Sequence, residues 1–499
     1  MTGIGAQIDT IAGVRIVGPG SELLPDEGPF DVFLDGGTIA DIAPAGAIRA
    51  TGAVLEGTGT WLIPGLWDHH VHVMQWALVS QRAPLGHATS AAHAAALMAE
   101  APLLDGRRVG TGFRHAFWPD EPTLALLDAA TGETPTYLIN ADVHSVWLNT
   151  AALRREGFDP DGTGILREEP AFEISRRLNL VDPVTGDQLV QQMARDAASR
   201  GVVGLVDLDM AWNEDAWSRR TRAGFDTLRV EFGIYPEHLA RALADGLQSG
   251  DVARGAASDL ARVGSLKVIT DGSLGTRTAA CSHSYPGDPQ NHGLLTVDPA
   301  TLVELMTDAT GGGLSCAIHA IGDLANSHAL DAFAVTGATG TIEHAQLVAH
   351  ADIPRFGRLG VGASVQPEHA VDDRDLTDTV WAGQTAQAYP LAALAATGAN
   401  LLFGSDAPVS PLDPWAAFAA AVYRTRDGRE PWQPTEALDA ATTLAASTHG
   451  GSRNADVIAP GARADLALCA TNPLTATEPE LRSMTVAATL LGGRLTHLA

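Results

Sequence analysis

The sequence predicts an α/β fold: a (β/α)8, TIM-like barrel, a small β-sandwich built from both termini, and a long insertion after the first barrel strand. Three observations predict it. The middle of the chain alternates short apolar runs with Ala-rich helical stretches and offers eight candidate strands. Both ends are β-rich and punctuated by Gly and Pro. Nearly every apolar run of the middle ends in a His, Asp or Lys, as strands that converge on one active-site rim would.

Residues 1–66 hold short strand-like runs at 11–17, 31–34, 38–42 and 54–56, the spacing of a small β unit. Residues 449–499 have the same texture, with runs at 465–468, 484–491 and 494–498 around Gly492-Gly493, so the two ends are expected to form one sandwich. Residues 67–448 supply the barrel, whose candidate strands are 61–66, 202–208, 228–233, 266–269, 315–318, 340–342, 362–365 and 400–403. The first gap is too long for one helix, so residues 75–190 read as an insertion. Its Ala-rich stretch 88–104 looks helical and its Gly/Asp/Pro run 157–164 looks like a loop. The insertion is expected to cover the barrel mouth and shape the pocket.

Composition excludes several function classes. At 45% hydrophobic and 18% charged residues, the chain buries a large core. A net charge of −27, from 32 basic and 59 acidic residues, argues against nucleic acid, whose phosphates demand a basic surface. Cys281, Cys316 and Cys469 are odd in number and widely spaced, which speaks against disulfides and a Cys-based zinc site and fits a reducing cytosol. No signal-peptide pattern opens the chain and no apolar run is long enough to span a membrane. The expectation is a cytoplasmic protein with a small-molecule substrate, no nucleic-acid or membrane partner, and an open question of homo-oligomerisation.

Lysine occurs once, at Lys267, beside 31 arginines. Arg is permanently protonated, whereas a buried Lys loses its proton and then forms a Schiff base or adds CO2 to become a carbamate. A codon bias toward Arg also accounts for a lone Lys, so the neighbouring motifs decide its meaning. After Pro64-Gly65-Leu66-Trp67 comes Asp68-His69-His70-Val71-His72. On an extended strand His70 and His72 face one point and His69 faces away. Other runs end in His319, His344 and Asp406. In a barrel His70, His72, Lys267, His319, His344 and Asp406 become neighbours, a nitrogen- and oxygen-rich set without thiolates. Such donors favour zinc, and also manganese, iron, cobalt or nickel.

These motifs also carry a resemblance. The chain is similar, over essentially its whole length, to the amidohydrolase superfamily and within it to the YtcJ-like group, the amidohydrolase 3 family. The run 64–72 resembles the superfamily's strand-one signature. Asp142-Val-His144-Ser-Val-Trp147-Leu-Asn149, the run 270–279, His319-Ala-Ile-Gly322-Asp323, the run 342–346 and Gly404-Ser405-Asp406-Ala407-Pro408 resemble the subgroup. Ala464-Asp465-Leu466-Ala467 resembles the strand that returns to the sandwich. The resemblance implies that His70, His72 and Asp406 bind one divalent metal. It implies that His319 and His344 bind a second, with a carboxylated Lys267 bridging the two. Where relatives commonly carry an Arg a few residues before Tyr-Pro, this chain has Gln384 ahead of Tyr389-Pro390, so anion recognition does not carry over there.

The expected activity is hydrolysis of a non-peptide C–N bond (amide, formamide, carbamate or cyclic amide) by a metal-activated hydroxide. Asp406 would accept the water's proton and pass it to the leaving nitrogen. Asp323 and Glu343 are expected to orient ligand imidazoles by accepting their distal N–H. His144, Trp147, Arg277, His283 and His369 are candidates to line the substrate pocket, and ordinary structural roles compete for each. Rival readings are a hydrolytic deaminase, a metal-free scaffold on the same fold, and a Schiff-base lyase. Deaminases of the superfamily carry a Glu three residues after the strand-five His, where this chain has Gly322. A Schiff-base enzyme needs Lys267 but not four histidines.

Overall fold

A computed structural model describes residues 3–24, 28–115, 118–140, 145–160, 162–167 and 169–499. Its centre is an eight-stranded barrel: β1 (Leu66–Val71), β2 (Val202–Asp207), β3 (Arg229–Ile234), β4 (Ala261–Ile269), β5 (Cys316–Ala320), β6 (Gly340–His344), β7 (Gly362–Val365) and β8 (Leu401–Phe403). Neighbours run parallel in chain order from β1 to β8. The ring closes through a parallel bridge between Val71 and Ala407, just past the ends of β1 and β8. Burial on both faces explains the near-continuous apolar strands, such as Val-Val-Gly-Leu-Val in β2. The outer helices begin where their caps dictate. Asp298 and Asp413 accept from the first-turn amides of helices Pro299–Gly311 and Pro414–Tyr423, each with Pro at its start.

The candidate strand 61–66 divides in the structure. Trp61–Pro64 pairs with Thr10–Ile16 and Leu466–Cys469 in a separate sheet, and the barrel's first strand starts only at Leu66. Gly65 makes the transition. A Cβ there would lie 2.4 Å from Val203 Cγ1, so only Gly lets the chain pass between sheet and barrel. The separate sheet takes strands from both termini: Arg494–Leu498, Val486–Leu491, Leu466–Cys469, Trp61–Pro64, Thr10–Ile16, Phe30–Asp35 and Thr38–Pro44 in that order, with Val54–Glu56 beside Thr10–Ile16. Its core joins Ile11, Val32 and Ile39 to Leu466, Leu490 and Leu495.

Two compact units result, Met1–Val73 with Gln191–Ala499, and Met74–Val190. The second contains a five-stranded sheet ordered Ile165–Arg167, Ser145–Leu148, Thr136–Asn140, Arg108–Phe113, Ala83–Pro84. Helix Ala91–Glu100 falls within the predicted stretch 88–104 and is capped by Ser90. Among the described residues no helix is long and apolar enough to cross a membrane.

One polar clamp ties the terminal sheet to the barrel. Arg229, at the start of β3, donates to Asp465 through Nε at 2.7 Å and Nη2 at 3.1 Å, and Asp465 also accepts from Gly492 N at 2.7 Å. Asp465→Ala leaves a largely buried guanidinium unpaired, an expected loss of about 3–5 kcal/mol of stability. Thermal or denaturant unfolding of the variant checks this.

Candidate metal centre

The six predicted ligands come together at the C-terminal ends of the strands. His70 is in β1 and His72 lies one residue beyond it, while Asp406 sits just past β8. Barrel closure brings them into contact through the main chain, with Asp406 N donating to His70 O at 2.8 Å and His72 N to Ala407 O at 2.9 Å. His70 Nε2 and His72 Nε2 then lie 3.5 and 3.4 Å from Asp406 Oδ1. Gly404 permits this approach, because a Cβ there would fall 2.7 Å from His70 N. Lys267 is in β4, His319 in β5 and His344 ends β6. Ring centroids of His344 lie 4.8 Å from His70 and 4.5 Å from His319. Two of these ligands have left-handed backbones, His344 at φ 74° and Asp406 at φ 58°, a strain that the surrounding hydrogen bonds hold in place.

Three of the imidazoles, those of His70, His344 and His319, are oriented by a partner at one ring nitrogen, which leaves the other for the centre; His72 Nδ1 has no hydrogen-bond partner among the described residues. His70 Nδ1 donates to Glu343 Oε2 at 2.7 Å. His344 Nδ1 donates to Gln366 Oε1 at 2.8 Å. His319 Nε2 lies 3.4 Å from both Asp271 Oδ1 and Gly272 O. His69, as expected, faces the other way, between the carbonyls of Phe403 and His449.

Electrostatics suit a cation. Burial and the neighbouring Lys267 charge lower His70 to about 4, and burial with the His319 and His70 charges takes His344 well below the usual imidazole value, so both are neutral ligands. Burial alone would raise Glu343 and Asp406. The His70 hydrogen bond, the Lys267 and His70 charges and the Thr341 hydrogen bond together outweigh it and bring Glu343 to about 2, and the surrounding imidazoles hold Asp406 well below the carboxylate range. Burial lowers the Lys267 amine against the opposing pull of Glu343 and Asp406. Lys267 is 1% exposed, and its Nζ has no hydrogen-bond partner among the described residues. An uncompensated buried amine beside neutral imidazoles and two carboxylates fits a cation-binding centre in which the amine is modified. The set His70, His72 and Asp406 offers ligand atoms within 4.8 Å of one another.

Other predicted site residues fare differently. Glu343 orients His70 as expected, but Asp323 accepts from Ser282 N at 2.9 Å and Oγ at 2.5 Å, and the imidazole partner on that side is Asp271. Asp271 also clamps the loops after β4 and β5 by accepting from Ala280, Ile321 and Gly322 amides. Trp147 does not line a pocket: it is fully buried in the core of the 74–190 unit with Leu85, Met98 and Leu138. His144 lies outside the described residues. Arg277 and His283 are exposed on the loop after β4. His369 does join the centre, with Nε2 at 4.0 Å from Asp406 Oδ2. Gln366, Asp271 and Asp68 were missed. Gln366 follows the β7 apolar run just as His319 closes that of β5, the same signal with an uncharged residue. Asp68 accepts from His70 N at 3.1 Å and Ser405 N at 2.9 Å, pinning β1 to β8.

With this geometry in view, the comparisons decide the family. The amidohydrolase family pattern matches residues 55–497. The chain belongs to that family. It is 30% identical over 485 residues to LONG AFTER FAR-RED 3 of Arabidopsis thaliana, covering 87% of this chain and 82% of that one. It is 25% identical to the putative amidohydrolase YtcJ of Bacillus subtilis (strain 168), covering 88% and 89%. It is 24% identical to the N-substituted formamide deformylase of Arthrobacter pascens, covering 93% and 94%. Among solved structures, an uncharacterized metal-dependent hydrolase from Pyrococcus horikoshii OT3 superposes with a TM-score of 0.78 at 25% identity, covering 94% and 99%.

Two predictions follow from these partners. Glu343→Gln loses the charge that orients His70, and metal affinity or turnover is expected to fall about 10–100-fold, measured by metal titration. Asp68 is pushed up to about 7, chiefly by burial. The folded state therefore holds its proton more tightly than the unfolded chain, and this contribution to stability is lost as pH rises from about 4 through about 7. Asp68→Asn removes that dependence. In metal-stripped protein its thermal midpoint, relative to the parent, should rise across this window.

Proposed function

We propose that this amidohydrolase-family hydrolase cleaves a non-peptide C–N bond of a small amide, formamide, carbamate or cyclic amide, with divalent metal bound at the barrel rim. The observation that carries the reading is the amine of Lys267, buried without a hydrogen-bond partner among the described residues and within electrostatic reach of His70, His72, His344, Glu343 and Asp406. His70, His72 and Asp406 would hold one cation, and His319, His344 and Lys267 a second. Imidazole nitrogen and carboxylate oxygen make zinc the preferred ion, with manganese, iron, cobalt and nickel compatible. When bound, such a cation supplies Lewis acidity, lowering the pKa of water and polarising the substrate carbonyl.

The remaining chemistry belongs to the chain. The neutral Lys267 amine attacks CO2; a new N–C bond forms, one proton leaves to solvent, and the side chain becomes an anionic carbamate with two oxygen donors. Burial that favours the uncharged amine supports this step. Asp406 takes the proton of the attacking water and delivers it to the leaving nitrogen, so one carboxylate serves as base and then acid. Glu343, Gln366 and Asp271 keep the imidazoles aimed while this happens. Resemblance to a formamide deformylase supports C–N cleavage. The deaminase reading is disfavoured by backbone geometry: a Cβ at residue 322 would lie 2.0 Å from Ala280 O, so no carboxylate side chain fits where deaminases carry theirs.

Metal analysis of the purified protein, with a screen of N-formyl, N-acyl and carbamoyl compounds, tests the reading; absence of stoichiometric metal would overturn it. Lys267→Arg should abolish turnover and second-cation binding while circular dichroism stays unchanged. Lys267→Ala should regain activity when acetate supplies the missing carboxylate. Parental turnover in Lys267→Arg would remove the carbamate from the proposal.

A further inference from the structure

The loop after β7 carries one histidine into the metal centre that the six ligands do not require. His369 lies in helix Pro367–Asp372 and is 5% exposed. Its ring is parallel to that of His344, 6.3 Å away at 11°. Its Nε2 stands 4.0 Å from Asp406 Oδ2 and has no hydrogen-bond partner among the described residues. At the other edge of the ring, Nδ1 meets the side-chain amide nitrogen of Gln346 at 3.4 Å. An amide N–H donates, so Nδ1 accepts and the ring proton sits on Nε2. Asp406 argues the same way: a bare nitrogen lone pair beside a carboxylate oxygen is repulsive, whereas an N–H is attracted.

Asp406 therefore divides its oxygens. Oδ1 faces His70 and His72 at 3.5 and 3.4 Å, and Oδ2 faces the Nε2–H of His369. A separation of 4.0 Å is too long for a direct hydrogen bond, so the Nε2–H is left to donate to an oxygen that enters beside Asp406. Buried donors are almost always satisfied, so an unused N–H at this place calls for an acceptor from outside the chain.

We propose that His369 is a catalytic residue, donating its Nε2 hydrogen bond to the oxygen of the scissile carbonyl and holding the charge that develops there. The inference rests on the C–N hydrolase reading and names the substrate group that the site reads. Water oxygen bonds to the carbonyl carbon, the C=O π pair moves onto oxygen, and Asp406 takes the water's proton. The carbonyl re-forms as the C–N pair leaves with nitrogen, which takes the proton from Asp406. His369 keeps its own proton throughout.

The competing arrangement is a third imidazole on a cation, since His344, His369 and Asp406 also present ligand atoms within 4.8 Å of one another. His369→Leu, which has no donor, and His369→Gln, whose amide N–H stands near the Nε2 position, separate the two. Both variants should purify with parental metal content. With N-benzylformamide as probe, His369→Leu should lose on the order of 100–1000-fold in kcat with little change in KM, and His369→Gln should recover about tenfold or more of that loss. By calorimetry, the tetrahedral oxyanion benzylphosphonate should bind His369→Leu at least about tenfold more weakly than the parent, while planar phenylacetamide binds both alike. Unchanged kcat and phosphonate affinity, or loss of metal from His369→Leu, would overturn the proposal. If the parent hydrolyses no amide but its phosphonate affinity still depends on His369, the donor role stands and only the C–N reading fails.

Discussion

The seam where the barrel closes governs everything else in this molecule. β1 and β8 meet through two main-chain hydrogen bonds just beyond their ends, from Asp406 N to His70 O and from His72 N to Ala407 O. Those bonds fix the two side chains, His70 and His72, that share one oxygen of Asp406. Asp68 reinforces the seam by accepting amides from both strands, and Gly404 removes the side chain that would hold them apart. The geometry of these side chains is a product of sheet closure, set by backbone hydrogen bonds. A site built this way is preorganised, which is what catalysis through fixed charges requires.

Around the seam the chain arranges charge in layers. The neutral imidazoles of His70 and His344 belong to the inner layer, because burial disfavours their protonation. Carboxylates sit behind or beside them: Glu343 behind His70, Asp271 behind His319, Asp406 between. Lys267 is the one cation in this set, and burial weakens its hold on the proton. An array of this kind is costly in dry surroundings unless a positive charge enters it. The structure thus spends stability at the rim that the large apolar core supplies elsewhere.

Much of this was legible in the sequence because barrels turn strand ends into neighbours. His319, His344 and Asp406 were readable as strand-terminal residues, and the alternation rule separated His70 and His72 from His69. The orienting residues were harder. Gln366 carries no charge to draw attention, and Asp271 sits in an Asp-Gly pair that reads equally as a turn. Asp323 was misassigned because both it and Asp271 lie next to the strand-five histidine, one in sequence and the other in space. Trp147 packs a core, a distinction that burial makes and spacing does not. The boundary at Pro64 was blurred because one continuous apolar run serves two sheets, with Gly65 as the only mark of the change.

The sheet assembled from both termini has a consequence for how the protein matures. Trp61–Pro64 is held on one side by Leu466–Cys469, roughly 400 residues later in the chain, and the ligand-bearing strand starts only two residues beyond it. During synthesis that strand's root therefore lacks this neighbour until Leu466–Cys469 leaves the ribosome. Assembly of the rim is in this way deferred until Leu466–Cys469 has been made, and a chain interrupted before that point carries its histidines beside an unsupported, aggregation-prone edge.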